Sequence, residues 1–480
     1  MNSRKSKKIN IPLSKILIVL FIVFVIRHFI VNSGDEKKGA SVDKSAQEEK
    51  KAASATRTSA PRNLRITAND LQKLMQQFPP NLTQDRDTVT WQKTEIIRYF
   101  SIDTTLQKRA RQRLNRARGR YAAVVAINPE TGQILAILSQ QDPELPTVAP
   151  NLALSNKFLA ASIAKTITAQ AAFENMDIST SSNFRFPGRS TTLYRNQFTP
   201  LEFGANANET TLAQAYARST NPVFGWIALH HIGRQNLQNT AERFGWNTTI
   251  PFDMPVQTSY FPETTPDNVN NSDSLAFLGS GFHRQTTLSP ILGALMMSSI
   301  LNQGVMMAPT LVDSIVDKSG RRLYAANTRK WRQTTESDIA DSLIFLKRQT
   351  TRIGSARNSF AQARRTFLSG QSGQNVISGG KTGTIHSAEL GGMNEWFVGF
   401  ARDTTNNITI ATSVVLVQPS TWHLRPSQIS SEIMYDYVRR KQRGIAQTAK
   451  TQAQIQAEAE AEARVEAQAE TQSATDDVYE

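Results

Sequence analysis

Residues 16–26 (ILIVLFIVFVI) are apolar without interruption, and the stretch widens to 23 residues, 9–31, broken only by Asn10, Pro12, Ser14, Lys15, Arg27 and His28. About 20 helical residues cross a bilayer, and Lys or Arg near the ends can snorkel to the interface. A cleaved signal peptide has a similar apolar core, but RHFIVNSGD offers no small-x-small cleavage site, so an uncleaved transmembrane anchor is expected over 9–31. Residues 32–60 hold one larger aliphatic, Val42, and no aromatic; they cannot build a core and read as a flexible tether. From 66 to 118 the pattern is helical and loop-like, with Leu71, Leu74, Met75 and Phe78 at helical spacing. YAAVVAI and ILAILS, on either side of NPETGQ, predict a β-hairpin. The Ala-rich FLAASIAKTITAQAAFE is apolar on more than one face, as a buried helix is. Residues 211–232 read as two helices broken at 219–222, and a further helix begins near Ile291 after the Gly-punctuated LGSGFHRQTTLSP. VISGGKTGTIH, NEWFVGFAR and ITIATSVVLV predict three successive antiparallel strands, and SQISSEIMYDYVRRK a closing amphipathic helix. From 448 onward Ala alternates with Gln and Glu without an apolar stripe, so the tail is expected to be solvated or disordered. Strands at both ends with helices between them predict an α+β domain whose sheet is assembled from distant segments.

Charge adds topology. The 480 residues carry 55 Lys and Arg against 40 Asp and Glu, a net of +15. A basic chain invites a nucleic-acid reading, but the charge is divided. Residues 1–60 hold 12 basic and 5 acidic side chains, residues 103–120 hold 7 and 1, and residues 451–480 hold Arg464 against 8 acids. No nucleic-acid partner is expected. Arg4, Lys5, Lys7 and Lys8 precede the apolar span, and the positive-inside rule keeps residues 1–8 in the cytoplasm and places the bulk of the chain outside it. The absence of cysteine excludes a disulfide scaffold, an iron–sulfur cluster, a thiolate zinc site and a cysteine nucleophile. The six histidines show no H-E-x-x-H, so neither a metal nor another cofactor is expected. Met296, Met297, Met306 and Met307 read as core, and residues 108–120 as a solvated helix face. The expected organisation is a cytoplasmic tail (1–8), an anchor (9–31), a tether (32–60), a short helical module (61–118), one large globular domain (119–447) and an acidic tail (448–480).

Three short motifs follow one another: Ser162-Ile-Ala-Lys165, Ser219-Thr-Asn221 and Lys381-Thr382-Gly383-Thr384. Singly, the first two are common; Ser41-Val-Asp-Lys44 and Ser181-Ser-Asn183 repeat them. Context separates the copies. Ser162 opens a buried Ala-rich helix, whereas Ser41 lies in the tether. Ser219 interrupts two helices ahead of Asn221-Pro222, a break that projects side chains into a cleft. A P-loop reading of 380–382 fails, because its first glycine would fall on Asn375. A serine hydroxyl is a weak nucleophile and needs an adjacent base. At i and i+3 on a helix, Ser162 and Lys165 share a face, so an amine can reach the hydroxyl. Burial or a nearby cation such as Lys381 would depress the lysine enough to make it that base. Ser219 can relay a proton, the Asn221 amide can bind a substrate amide, and the N–H groups of Ser162 and Thr384 can form an oxyanion hole.

S-x-x-K, S-x-N and K-T-G-T in this order resemble the transpeptidase domain of penicillin-binding proteins, the serine acyl-transferases of cell-wall synthesis. SIDTTLQKRARQRL, AAVVAINPETGQILAI, LGSGFHRQTTLSPILGALMMSSILNQGVMMAPTLV and EWFVGFA extend the similarity over about residues 100–440. The resemblance implies the penicillin-binding protein/serine β-lactamase-like fold: an antiparallel sheet flanked by helices, plus an all-α part. It implies that Ser162 is acylated by a D-alanyl-D-alanine stem peptide of peptidoglycan, that Lys165 deprotonates it and that Ser219 shuttles the proton. Asn221, Lys381, Thr382, Gly383 and Thr384 would bind substrate, β-lactams would inhibit, and other cell-wall synthesis proteins would be partners. Ala160-Ala161 stands before the nucleophile where the family commonly has Pro-Gly, a departure that leaves the catalytic side chains untouched. Too few residues precede the domain for the glycosyltransferase of bifunctional members, so the likeness is to monofunctional, class B-like ones. A D,D-carboxypeptidase and a β-lactamase share the fold, although no clear water-activating glutamate follows Ser219. A catalytically idle scaffold is the remaining alternative, and the intact motifs speak against it.

Overall fold

The computed structural model describes residues 65–263, 272–419 and 424–476. The expected cytoplasmic tail, anchor and tether lie outside these residues. Among those described, no helix is long and apolar enough to cross a membrane. The elements that position the site begin with α1 (Ala68–Gln77), β1 (Arg86–Trp91), β2 (Thr94–Phe100), α2 (Thr104–Ala117), β3 (Tyr121–Ile127) and β4 (Ile134–Gln141). A helical region follows, with α3 (Lys165–Asn175), α4 (Leu212–Arg218), α5 (Asn221–Ile227), α6 (Ser272–Ser280) and α7 (Pro290–Leu301). The chain then returns to strand through β5 (Val312–Asp317) and β6 (Arg322–Ala325), then α8 (Ser337–Arg352) and α9 (Arg357–Phe367). It ends with β7 (Val376–Ser387), β8 (Gly392–Asp403), β9 (Ile408–Gln418) and α10 (Pro426–Asp476).

The main sheet is antiparallel, in the order β7-β8-β9-β3-β4. The predicted amino-terminal hairpin and the three predicted carboxy-terminal strands meet where β9 pairs with β3, from Ala411 opposite Ile127 to Val417 opposite Tyr121. Every residue of β3 and β9 is buried, because helices cover both faces. Successive strand side chains alternate between faces. Ala122, Val124 and Ala126 therefore pack with Leu106 and Leu114 of α2, Phe360 of α9 and Val438 of α10. Ala123, Val125 and Ile127 belong to the other core, with Ile291 and Leu295 of α7 and Ile167 of α3. Burying each Val, Leu, Ile or Phe side chain among them contributes roughly 1.5–3 kcal/mol relative to exposure.

Residues 66–118 differ from the helical and loop-like reading, since β1 and β2 lie between α1 and α2 and enter a second sheet of order β1-β2-β5-β6. In β2 the buried positions alternate with less buried ones, but Arg98 stands at one of the inward positions and conceals the apolar alternation. It can be buried because Nε and Nη2 donate to the Asp87 carboxylate at 2.8 and 2.7 Å, and Nη1 donates to Phe78 O at 2.7 Å. The basic face of α2 is also more engaged than a solvated one, with Arg109 and Arg113 paired to Asp436 and Glu432 of α10. The tail beyond 448 continues α10 as helix through Asp476, with exposed side chains over 448–463. Ala, Gln and Glu are strong helix formers even where nothing packs on them.

Candidate active site

Ser162 lies on a 3₁₀ turn, Ala161–Ala164, that leads into α3. Side chains three residues apart eclipse in this tighter helix, and Lys165, the first residue of α3, brings Nζ to 2.7 Å from Ser162 Oγ. Lys165 is 0% exposed. Its other two partners are Asn221 Oδ1 at 2.7 Å and the Ser280 carbonyl at 2.5 Å. A neutral amine has two N–H donors and one lone pair. The two acceptor oxygens take the donors, which leaves the lone pair facing the Ser162 hydroxyl. Burial, and after it the charge of Lys381, hold Lys165 well below the ordinary lysine range. The arrangement can therefore draw a proton from Ser162.

Ser219 caps α4 in the left-handed region, with φ +61°, and Asn221 opens α5 with Pro222 behind it. Asn221 is fixed at both ends: its backbone N–H donates to Ser190 O and Nδ2 donates to Thr191 O, each at 2.7 Å. One amide N–H is left for a substrate. Lys381 Nζ donates to Ser219 Oγ at 2.9 Å. Among the described residues, Ser219 makes no hydrogen bond to Lys165 or Ser162. Lys381 is buried in the middle of β7, and burial, with Lys347 adding repulsion, pushes it down to about 7. Gly383 brings β7 against the nucleophile turn; a Cβ there would lie 3.2 Å from Ala161 Cβ and 3.4 Å from Ser162 N. Thr382 Oγ1 is 2.5 Å from Ser355 Oγ, and Thr384 is exposed. The structure thus gathers Ser162, Lys165, Ser219, Asn221, Lys381 and Gly383 tightly, with Thr382 and Thr384 along the same strand. Among the described residues β7 pairs only with β8, which makes that strand an edge.

Four further residues belong to this site and were not singled out from sequence. The Ser280 carbonyl anchors Lys165. Gly281, with φ +76°, lies so close that a Cβ would sit 2.2 Å from Ala161 O. Ser355 reaches Thr382 from the turn after α8. Lys347 of α8 is buried, donates to Thr166 Oγ1 at 3.1 Å and Tyr216 OH at 3.0 Å, and is pushed down to about 7 by burial. A signal for it existed: in SLIFLKRQTTR, Lys347 falls four residues after Leu343, on the core-facing side of the helix. The Ala-for-Gly departure also acquires meaning, because Ala161 has φ +48°, a conformation glycine adopts more easily.

A cavity of about 1160 Å³ is lined by residues such as Thr83, Lys108, Arg111 and Asn151 and by none of these site residues. Chemistry rather than volume locates the site. His230 and His231 both lie against Trp226, with ring centroids 5.4 and 4.8 Å away, in a π-helical turn that brings adjacent side chains onto one neighbour.

Comparison with known proteins bears on this geometry. The family model for the penicillin binding protein transpeptidase domain matches residues 122–438. The peptidoglycan D,D-transpeptidase PbpA of Mycolicibacterium smegmatis is 24% identical over 324 residues, 61% of this chain and 61% of that protein's length. Among solved structures, the D,D-transpeptidase domain of a peptidoglycan glycosyltransferase from Eggerthella lenta superposes with a TM-score of 0.58 at 22% identity, covering 72% of this chain and 83% of that one. The penicillin G acyl-enzyme complex of penicillin-binding protein A from Mycobacterium tuberculosis gives 0.51 at 20% identity, covering 71% and 79%. At these identities the two structures establish the shared fold.

Proposed function

Because the chain belongs to the penicillin-binding protein transpeptidase family, we propose that it is a peptidoglycan D,D-transpeptidase acting through a Ser162 acyl-enzyme. The observation that carries the reading is the 2.7 Å approach of a buried, depressed lysine amine to the Ser162 hydroxyl. Ser162 Oγ attacks the carbonyl between the two D-alanines of a stem peptide while its proton passes to Lys165 Nζ. The oxyanion is received by the N–H groups of Ser162 and Thr384. The peptide bond breaks, the terminal D-alanine leaves as an amine with a proton delivered through Ser219, and the acyl group stays on Ser162. A second stem peptide's amine then attacks the ester and releases the serine, leaving a cross-link. Lys381, Thr382 and Thr384 hold the terminal carboxylate, and Gly383 allows the close approach of β7. The open edge of β7 accepts an extended peptide by strand addition.

The same reading includes a membrane anchor at 9–31, residues 1–8 in the cytoplasm and the catalytic domain on the far side of the cell membrane. Its support is the apolar span and the four cations before it. Other cell-wall synthesis proteins are proposed partners, and the domain limits 61–118, 119–447 and 448–480 are proposed with it.

The test uses the full chain. Incubation with a fluorescent penicillin should give a stable covalent adduct on Ser162, lost in Ser162→Ala with the fold intact. Incubation with two stem peptides should then yield cross-linked product. No adduct would favour the idle scaffold, rapid turnover of the adduct a β-lactamase, and release of D-alanine without cross-links a carboxypeptidase.

A further inference from the structure

Three lysines converge behind the nucleophile, and the reaction above uses two. Lys165, Lys347 and Lys381 are 0, 2 and 0% exposed. No carboxylate among the described residues acts on any of them; burial does, joined at Lys165 and Lys381 by a neighbouring lysine. An unpaired buried charge is costly, so such a pocket cannot keep three ammonium groups. Lys347 is held where it touches both of the others indirectly. Its Nζ donates to Thr166 Oγ1 and Tyr216 OH, which are themselves 2.9 Å apart, and Thr166 adjoins Lys165. The Tyr216 ring centroid lies 5.6 Å from Lys347 Nζ and 5.6 Å from Lys381 Nζ. The α8 backbone at Lys347 and Arg348 presses on Gly379, two residues before Lys381, where a Cβ would lie 2.8 Å from either.

We propose that Lys347 is a positioning residue: it fixes the Thr166–Tyr216 hydroxyl pair behind the site, and it divides the pocket's positive charge with Lys381, setting the pH range in which Lys381 offers an ammonium to the substrate carboxylate. The proposal rests on the D,D-transpeptidase reading. The groups facing Lys347 are Tyr216 from α4, Lys165 beside Thr166 on α3 and Lys381 on β7. Burial pushes Tyr216 upward, so it stays a neutral phenol. Helix α7 carries no titratable side chain, Arg218 is exposed, and on α9 Arg357 and Arg365 are exposed while Arg364 donates to the carbonyls of Gly373 and Val376. When both Lys347 and Lys381 compete for protons, their titration belongs to the pair. Removing Lys347 leaves Lys381 as sole claimant and keeps it protonated to higher pH.

The test is the pH profile of penicillin acylation in the full chain for Lys347→Met and for Lys347→Gln, which removes the charge but keeps a donor for the two hydroxyls. The alkaline limb should move up by roughly half a pH unit or more in both variants, and the limb set by Lys165 should stay in place. The penicillin methyl ester, which has no carboxylate, should show no such shift. A variant profile that is lowered but superimposable on the parent would mark Lys347 as merely structural and overturn the proposal. A shift equal for acid and ester would overturn it too, since Lys381 would then not be the group affected. If the parent chain forms no Ser162 adduct at any pH, the transpeptidase reading fails and this proposal falls with it.

Discussion

Gly281→Ala tests whether the nucleophile turn is held in place by backbone contact. Gly281 follows Ser280, whose carbonyl takes an N–H of Lys165, and it has φ +76°. A Cβ at this position would lie 2.2 Å from Ala161 O, 2.6 Å from Ala161 C and 2.9 Å from Ser162 N. Ordinary contact is about 3.5 Å, so the turn carrying Ser162 must retreat by roughly 1 Å. Holding alanine in the left-handed region adds about 1–2 kcal/mol, and the overlap about 1–3 kcal/mol more. The variant should melt several degrees lower and still fold. A misplacement of about 1 Å at a reacting centre costs on the order of 100-fold, which is the expected loss in the second-order rate of labelling by fluorescent penicillin. Gly320→Ala is the control: φ is +82° and nothing lies within 4 Å of its Cβ, so it carries the conformational cost without the clash. It should label at the parent rate. Labelling of Gly281→Ala within about threefold of the parent would refute the idea that close backbone approach positions Ser162.

Acylation by a penicillin should have an alkaline limb near pH 7, because Lys381 loses its proton as the pH rises through the value of about 7 toward which it is pushed, and the contact with the penicillin carboxylate is then lost. The same measurement should fall on the acid side as Lys165, held well below the ordinary range, regains its proton; a rate independent of pH from 5 to 9 would contradict the Lys381 assignment. Asp87→Ala should destabilise the protein by about 3–5 kcal/mol, since it leaves the wholly buried Arg98 guanidinium without its partner. Denaturant unfolding measures this, and a loss below about 1 kcal/mol would mean that Arg98 is rehydrated or finds other acceptors.

Much of the site was legible because its chemistry is written in short local patterns. The S-x-x-K spacing specifies a contact within one turn of helix, and the break at 219–222 follows from Asn221-Pro222. The strand character of 376–418 shows in its β-branched and aromatic content, although the pairing of β9 with β3 could be anticipated only as a sheet built from distant segments. What stayed hidden depends on long-range contacts. Strand β2 escaped notice because Arg98 occupies an inward position, and its burial makes sense only once Asp87 and the Phe78 carbonyl are seen to receive it. Ser355 and Gly281 look like any loop residues until the fold sets them beside Thr382 and Ala161. Lys347 carried a periodicity signal, but a lone lysine on an apolar face has no readable partner in one dimension. Its partners, Thr166 and Tyr216, come from two other helices.

The alanine before the nucleophile joins these observations. Ala161 sits at φ +48°, where an L side chain is strained by roughly 1–2 kcal/mol, and it does so against Gly281 on one side and Gly383 on the other. Strain of this kind persists only where surrounding structure over-determines the conformation. Here the surroundings are the very residues that set the chemistry: Gly281 follows the carbonyl that orients Lys165, and Gly383 lies between the two threonines of the strand that carries Lys381. The methyl group that replaces the family's usual hydrogen therefore does not stand apart from the catalytic side chains. It faces β7, where Gly383 leaves room for it, while Gly281 leaves room for the carbonyl of the same residue. Tolerance of alanine at 161 and the need for glycine at 281 and 383 are one packing constraint, met by three segments far apart in the chain.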